Sequence, residues 1–251
     1  MSDIMKELQE VKKASQEQTS ASQNLSAVVI GKMDEIDNQV EEAEKKFDAF
    51  IAQSRLENAI FRQSKNQFCN LTDSDLDFFA KNSQYSIEVS LYRTINNGIP
   101  WAQRDIEEQE IMAAMGLHGY TYFQPAIRVM KLKWSGYDAS QHASHSIYPM
   151  PVGNGTGATT VASYAKLITG SISNWWLNGV TGSWSLCGKH TQGHPGRYIH
   201  AHPEVSSESG EVLFIWPAIV SGYIPLDKES PKWGYFPSMY GENPYDAKPG
   251  A

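Results

Sequence analysis

Residues 1–65 contain no proline, no tryptophan and no tyrosine, and a single glycine, Gly31. All 12 prolines of the chain lie at Pro100 or later, and Phe47, Phe50 and Phe61 are the only aromatic residues in that first stretch. Proline and glycine break helices, and tryptophan and tyrosine need a packed body around them. Their absence speaks for a long polar helix followed by a folded domain. Cysteine is scarce too. Cys69 and Cys187 are far apart, which excludes a disulfide framework and leaves two reduced structural thiols as the plain reading. Basic charge is not in excess: 21 Lys+Arg stand against 28 Asp+Glu, a formal net charge of −7, so nucleic acid is not an expected partner. Long apolar runs are missing as well. The opening Met1-Ser2-Asp3-Ile4-Met5-Lys6 is polar and leads into more charge, so neither a signal peptide nor membrane insertion is expected, and synthesis in a cytoplasm is.

What the first segment does contain is a periodic stripe. Met33, Ile36, Val40, Ala43, Phe47 and Phe50 recur at alternating steps of three and four, the a/d seam of a coiled coil. Asp34, Glu35, Asp37, Glu41, Glu42, Lys45, Lys46 and Asp48 occupy the remaining face. Ile4, Leu8, Val11, Leu25 and Val29 form a second run, with Ser15, Gln18 and Ser22 filling its seam. Between Val29 and Met33 the phase shifts by four residues, a stutter at Gly31 where the supercoil unwinds most easily. Residues 14–24 are poor in apolar side chains and predict a weak coil, one that frays or is held by another protein. The chain offers no second helix of comparable length to cover the stripe, so self-association is the simpler solution. Phenylalanine at both a and d takes more room than a two-stranded core gives, which favours three strands.

The spacing divides the chain into a coiled-coil stalk and attachment region (residues 1–65), a mostly helical connector (66–118) and a β-rich head (119–251). In the connector, Thr72-Asp73-Ser74-Asp75 reads as one helix start, and Asp105 with Glu108 as a second, stopped at Gly116. Asn97-Gly98 reads as a turn. In the head, residues 127–134 are rich in β-formers, with Lys131 and Lys133 on one face and Met130, Leu132 and Trp134 on the other. Further strands are expected at 145–150, 159–168, 183–187, 197–202 and 211–219, although 162–168 also reads as a helix. Turns rich in Gly, Pro, Asn and Ser separate them. Short strands at this spacing predict an antiparallel, sandwich-like arrangement. The fold class is therefore α+β. Residues 231–251 read as an extended tail packed on the head or on a neighbouring chain.

Chemistry-bearing motifs are few. His200-Ala201-His202 lies in a strand-like segment, where alternation points both imidazoles to one face. On a threefold axis three copies would present six imidazoles, an octahedral site for a transition metal. The plain alternative is that His200 and His202, like His190 and His194 close by in the sequence, are polar residues on a strand face or loop. Residues 153–157 look like a phosphate loop but lack its Gly-Lys-Ser/Thr end. Neither a Gly-x-Ser-x-Gly elbow nor a zinc-hydrolase helix motif occurs, and no enzyme is expected. Seven tryptophans are mostly core. Trp175-Trp176 is an adjacent pair in which one ring faces inward and the other outward, either as filler between subunits or as a platform for a sugar ring. Tyr235, Tyr240 and Tyr245 carry the same ambiguity.

Together, the Ser/Gln/Ala-rich helical start running into the 33–50 seam and the stretch Ser207-Glu208-Ser209-Gly210-Glu211-Val212-Leu213-Phe214-Ile215-Trp216-Pro217-Ala218, with Tyr223-Ile224-Pro225-Leu226 after it, resemble tail fibres and related receptor-binding proteins of tailed bacteriophages. His200-x-His202 is similar to the His-x-His pairs that hold axial iron in some fibre tips, with Tyr198 where those tips commonly carry glycine. The resemblance implies a virion structural protein: a homotrimer, docked to other tail or baseplate proteins through its N-terminal region, whose head contacts a host-surface glycan or protein. Two alternatives accompany it, a non-catalytic tail or baseplate adaptor and a polysaccharide-degrading tailspike.

Overall fold

The computed structural model describes residues 2–57, 60–72, 75–81, 84–142, 145–152, 157–192 and 199–238. The chain divides into two compact units, Met1–Glu57 and Asn58–Ala251.

The first unit is one helix, α1 (Ser2–Glu57), 56 residues long. It runs without a break through Gly31 and through residues 14–24, the stretch expected to coil weakly. Alanine, glutamate, glutamine, lysine and leucine lose little rotamer freedom in a helix, and no proline interrupts them. Lys32–Glu35 (2.6 Å), Glu41–Lys45 (2.6 Å) and Glu42–Lys46 (3.5 Å) lie three or four residues apart on its surface. Such exposed pairs contribute only about 0.2–0.5 kcal/mol each. A helix of this length draws its stability mostly from burying an apolar face, yet every described side chain from Asp3 to Ala49 is exposed.

The second unit is built on a five-stranded antiparallel sheet. Its strands in chain order are β1 (Ser86–Ile95), β2 (Ile127–Ser135), β3 (Thr159–Thr169), β4 (Ser185–Thr191) and β5 (Gly210–Ser221). Across the sheet the order is β1-β2-β5-β3-β4, so the last strand enters the middle. Residues 212–220 of β5 are accordingly all buried. Their alternation feeds two cores. Val212, Phe214 and Ile219 join one, with Leu132, Trp134, Tyr148, Met150 and Trp176. Leu213, Ile215, Ala218 and Val220 join the other, with Ile111, Met112, Tyr164 and Trp233. The parity switches at a bulge between Ile215 and Ala218, where Trp216 takes φ +50°. That bulge explains how Pro217, which has no N–H to donate, sits in a central strand. Gly210 is required at its position, because a Cβ there would lie 2.1 Å from the Trp134 ring of the neighbouring strand.

Three expectations need correction. The connector is not mostly helical. Its helical parts are α2 (Ile106–Ala114) and the short turn Trp101–Gln103, while Ser86–Ile95 is an edge strand. Ile87 and Val89 point inward and Glu88 and Ser90 outward, the period-two signature of a half-buried strand. Nor does a helix start near Thr72. Leu71–Thr72 pairs antiparallel with Asp75–Leu76, and Asp75 and a Tyr148 hydroxyl both accept from the Leu76 N–H. Finally, the head is not two stacked sheets. One face of the five-stranded sheet is covered by three two-stranded ribbons and loops, the other by α2 and residues 224–236.

The strands expected from the sequence over 127–134, 159–168 and 211–219 are present, and 162–168 is strand rather than helix. The second unit also begins earlier than residue 66. Arg62 is fully buried, its N–H donates to Pro237 O (2.8 Å), and Gln63 N–H donates to Ile219 O (2.8 Å). The described part of the tail packs on its own head. Trp233 is buried, and its indole N–H donates to Trp216 O (3.0 Å). Both thiols are free and buried in the same core, where burial pushes Cys69 up to about 12.

Candidate functional site

The seam residues of α1 are exposed one by one. Met33, Ile36, Val40 and Phe47 each leave half or more of their surface open, and Ala43 is exposed beside them. The side chain of Phe50 lies outside the described residues. Ile4, Leu8, Val11, Leu25 and Val29 are exposed in the same way, and so are Val28 and Ile30, which widen the apolar stripe at the stutter. Burying one such side chain is worth about 1.5–3 kcal/mol. The helix thus carries a long apolar line that is exposed along its described residues.

The tryptophan pair behaves differently from expectation. Residues 175–177 form a tight 3-10 turn, entered through Asn174 (φ +73°) and Trp175 (φ +48°). Trp176 is fully buried with its ring 5.1 Å from Phe214, so it offers no surface to a ligand. Trp175 is half-buried and packs against the first core, with Lys189 Nζ 4.1 Å from its ring centroid. Tyr235 is half-buried too, edge-on to Phe68 and Trp216 and 5.6 Å from the Arg62 guanidinium. Trp176 and Tyr235 are therefore packing residues of the head, and Tyr240 and Tyr245 lie outside the described residues.

The histidines disperse. His200 is exposed on a short strand opposite Pro151, whereas His202 lies beyond the strand end and is half-buried. Glu204 stands 4.0 Å from His202 and 3.4 Å from His145. Burial pushes the His202 imidazole down, against the pull of Glu204. His190 is engaged elsewhere, stacked on Tyr223 with ring centroids 3.7 Å apart and its Nε2 2.8 Å from Ile224 O. His194 lies outside the described residues. Among the described residues no group of three or more His, Cys, Asp or Glu side chains is arranged to hold a metal ion.

A surface absent from the sequence reading is formed by the two loops that flank α2. Asp105 caps the helix by accepting from the Glu108 N–H (2.8 Å), and Gly116 (φ +73°) stops it, with Leu117 N–H returning to Met112 O (2.8 Å). The loops are tied together by Gly98 N–H to Thr121 O (2.8 Å). Beneath them the Arg104 side chain is fully buried. It donates to Asn96 O (2.8 Å) and Glu108 (3.1 Å) and lies 5.4 Å from the Phe123 ring centroid. Gln109 donates to the backbone of Trp101 and Arg104 (3.1 and 3.0 Å). On this scaffold Trp101 sits 4.5 Å from His118, and Tyr120 and Tyr122 stand out at 56% and 76% exposure. Tyrosine's place in a turn-rich loop carried no periodic signal, and only the fold sets Trp101 beside His118 and brings Tyr122 within 4.0 Å of a Cβ placed on Gly98.

One open hollow of about 260 Å³ is lined by Glu88, Lys133 and Glu211. Glu211 is engaged there by Lys131 (3.4 Å) and Lys133 (3.3 Å), a mixed-charge sheet face rather than a deep carboxylate groove.

Compared with known proteins, the chain matches no family model and no curated protein. The described residues include no helix long and apolar enough to cross a membrane.

Proposed function

We propose that the chain is a virion structural protein of a tailed bacteriophage: a homotrimeric tail fibre that binds a host cell-surface polysaccharide or protein. The observation that carries this reading is α1, a 56-residue helix whose apolar seam is exposed along its described length. An isolated helix with such a seam is incomplete, and three copies of the same seam bury one another. The Phe47 layer favours three strands over two. The resemblance of the 207–226 stretch to fibre proteins supplies the biological setting, with the N-terminal region docked to tail or baseplate proteins. Three heads on one stalk suit receptor binding, because weak individual contacts gain strongly from effective concentration.

Binding of the full-length chain to a panel of bacterial strains, before and after chemical removal of surface polysaccharide, tests this reading. Adsorption to at least one strain is expected. Adsorption to none would favour the adaptor role.

A further inference from the structure

The loop surface beside α2 is aromatic, rigidly built and without a single charged side chain. Residues 96–103 and 116–124 contain no Asp, Glu, Lys or Arg, in a chain where such residues make up 20%. Their exposed groups are two amides at Asn96 and Asn97, a third at Gln103, the His118 imidazole, the two tyrosine hydroxyls and the Gln124 amide. Charges at the ends of α2 are paired. Arg104 is buried on Glu108, and Arg93 holds Asp105 (3.0 Å) and Glu107 (3.3 Å).

We infer that this surface is a binding site for a neutral saccharide, with Tyr120 and Tyr122 as the ring-contacting residues and Trp101 as part of the core-packed support beneath. The proposal rests on the receptor-binding reading and names the ligand class and the place. Aromatic faces meet the C–H side of a pyranose, and rigid amphipathic rings do so at low conformational cost. The surrounding amides and hydroxyls both donate and accept, which matches sugar hydroxyls. Electrostatics selects against the charged alternatives. An anionic polysaccharide would find no Lys or Arg within the two loops and a protein of net charge −7 behind them. A cationic partner would find no carboxylate within the two loops. The loops are fixed by the Gly98–Thr121 bond and the Arg104 staple, so the ligand meets a preformed surface.

The test is an array of neutral and uronate-bearing oligosaccharides probed with the full-length chain, its Tyr122→Ala and Tyr120→Ala variants, and Tyr122→Phe. Both tyrosines are exposed, so the alanine variants keep the fold. Binding to neutral glycans is expected, falling at least tenfold in Tyr122→Ala and largely kept in Tyr122→Phe. Binding confined to uronate-bearing glycans, neutral binding unchanged in both alanine variants, or no binding at all would overturn the proposal. Light scattering on the same samples separates this site from the fibre reading. A three-chain mass with a silent array removes the site alone, and a one-chain mass removes the fibre reading. A mass that falls in Tyr122→Ala would identify the surface as a contact between heads and overturn the glycan assignment.

Discussion

Asp105 carries three tasks at one carboxylate. It caps α2, it holds Arg93, and through the cap it fixes the helix that backs the aromatic loops. The Glu108 N–H it accepts holds its pKa below the ordinary 3.8, with Arg93 adding to the pull and burial opposing it. A depressed carboxyl stabilises the fold above its unfolded pKa and loses that contribution as pH falls through the folded value. Asp105→Ala is therefore expected to destabilise the head by about 1 kcal/mol near neutral pH. Urea titrations at pH 7 and pH 2.5 check this, and the difference from the parent should shrink at the lower pH. This cap was legible in the sequence, as were Gly116 and the Asn97-Gly98 turn, because capping and turn chemistry is local. The direction of Trp175 and Trp176 was not. It depends on a 3-10 turn with two consecutive non-glycine residues at positive φ, which no local preference announces.

Among the elements, α1 and the strands around 127–135, 159–169 and 210–221 could be read from periodicity. β1 was missed, because its alternation covers only Ser86–Ser90 before a bulge between Leu91 and Arg93 breaks it. Acid-rich cap patterns on either side drew attention to helix instead. In α1 the seam also assigns its flanks. With Leu8, Ser15, Ser22 and Val29 at a, Glu7 is at g and Lys12 at the following e. With Met33 and Val40 at a, Lys32 is at g and Asp37 at the following e. In a parallel, in-register assembly each g residue meets the next e of its neighbour, so Glu7 faces Lys12 and Lys32 faces Asp37. Both pairs are opposite in sign, and the shared stutter matches only in that register. Lys32→Glu is expected to lower the thermal midpoint of the assembled stalk, at about 0.2–1 kcal/mol per exposed pair. Adding Asp37→Lys should restore it. Circular dichroism melts of both variants decide this, and an unchanged midpoint in Lys32→Glu would argue against parallel in-register packing.

At the scale of the whole molecule, a long N-terminal helix and a folded β-rich unit were foreseen, and the α+β class follows from them. The sandwich was not realised because β5, the last strand, inserts between β2 and β3 and leaves ribbons, α2 and the tail to cover the two faces. Strand order is a long-range property, and spacing along the chain does not encode it. The aromatic loop surface was hidden for the same reason. Its residues lie on loops before and after α2, and only the fold brings the two loops together. The central claim concerns the uncovered stripe on α1, and the most direct measurement is the solution mass of the full-length chain by light scattering, with Val40→Asp and Phe47→Asp beside it. The account predicts three times the 28.0 kDa chain mass for the parent and dissociation in both variants. A parent that runs as a single 28.0 kDa chain, or variants whose mass is unchanged, would contradict it.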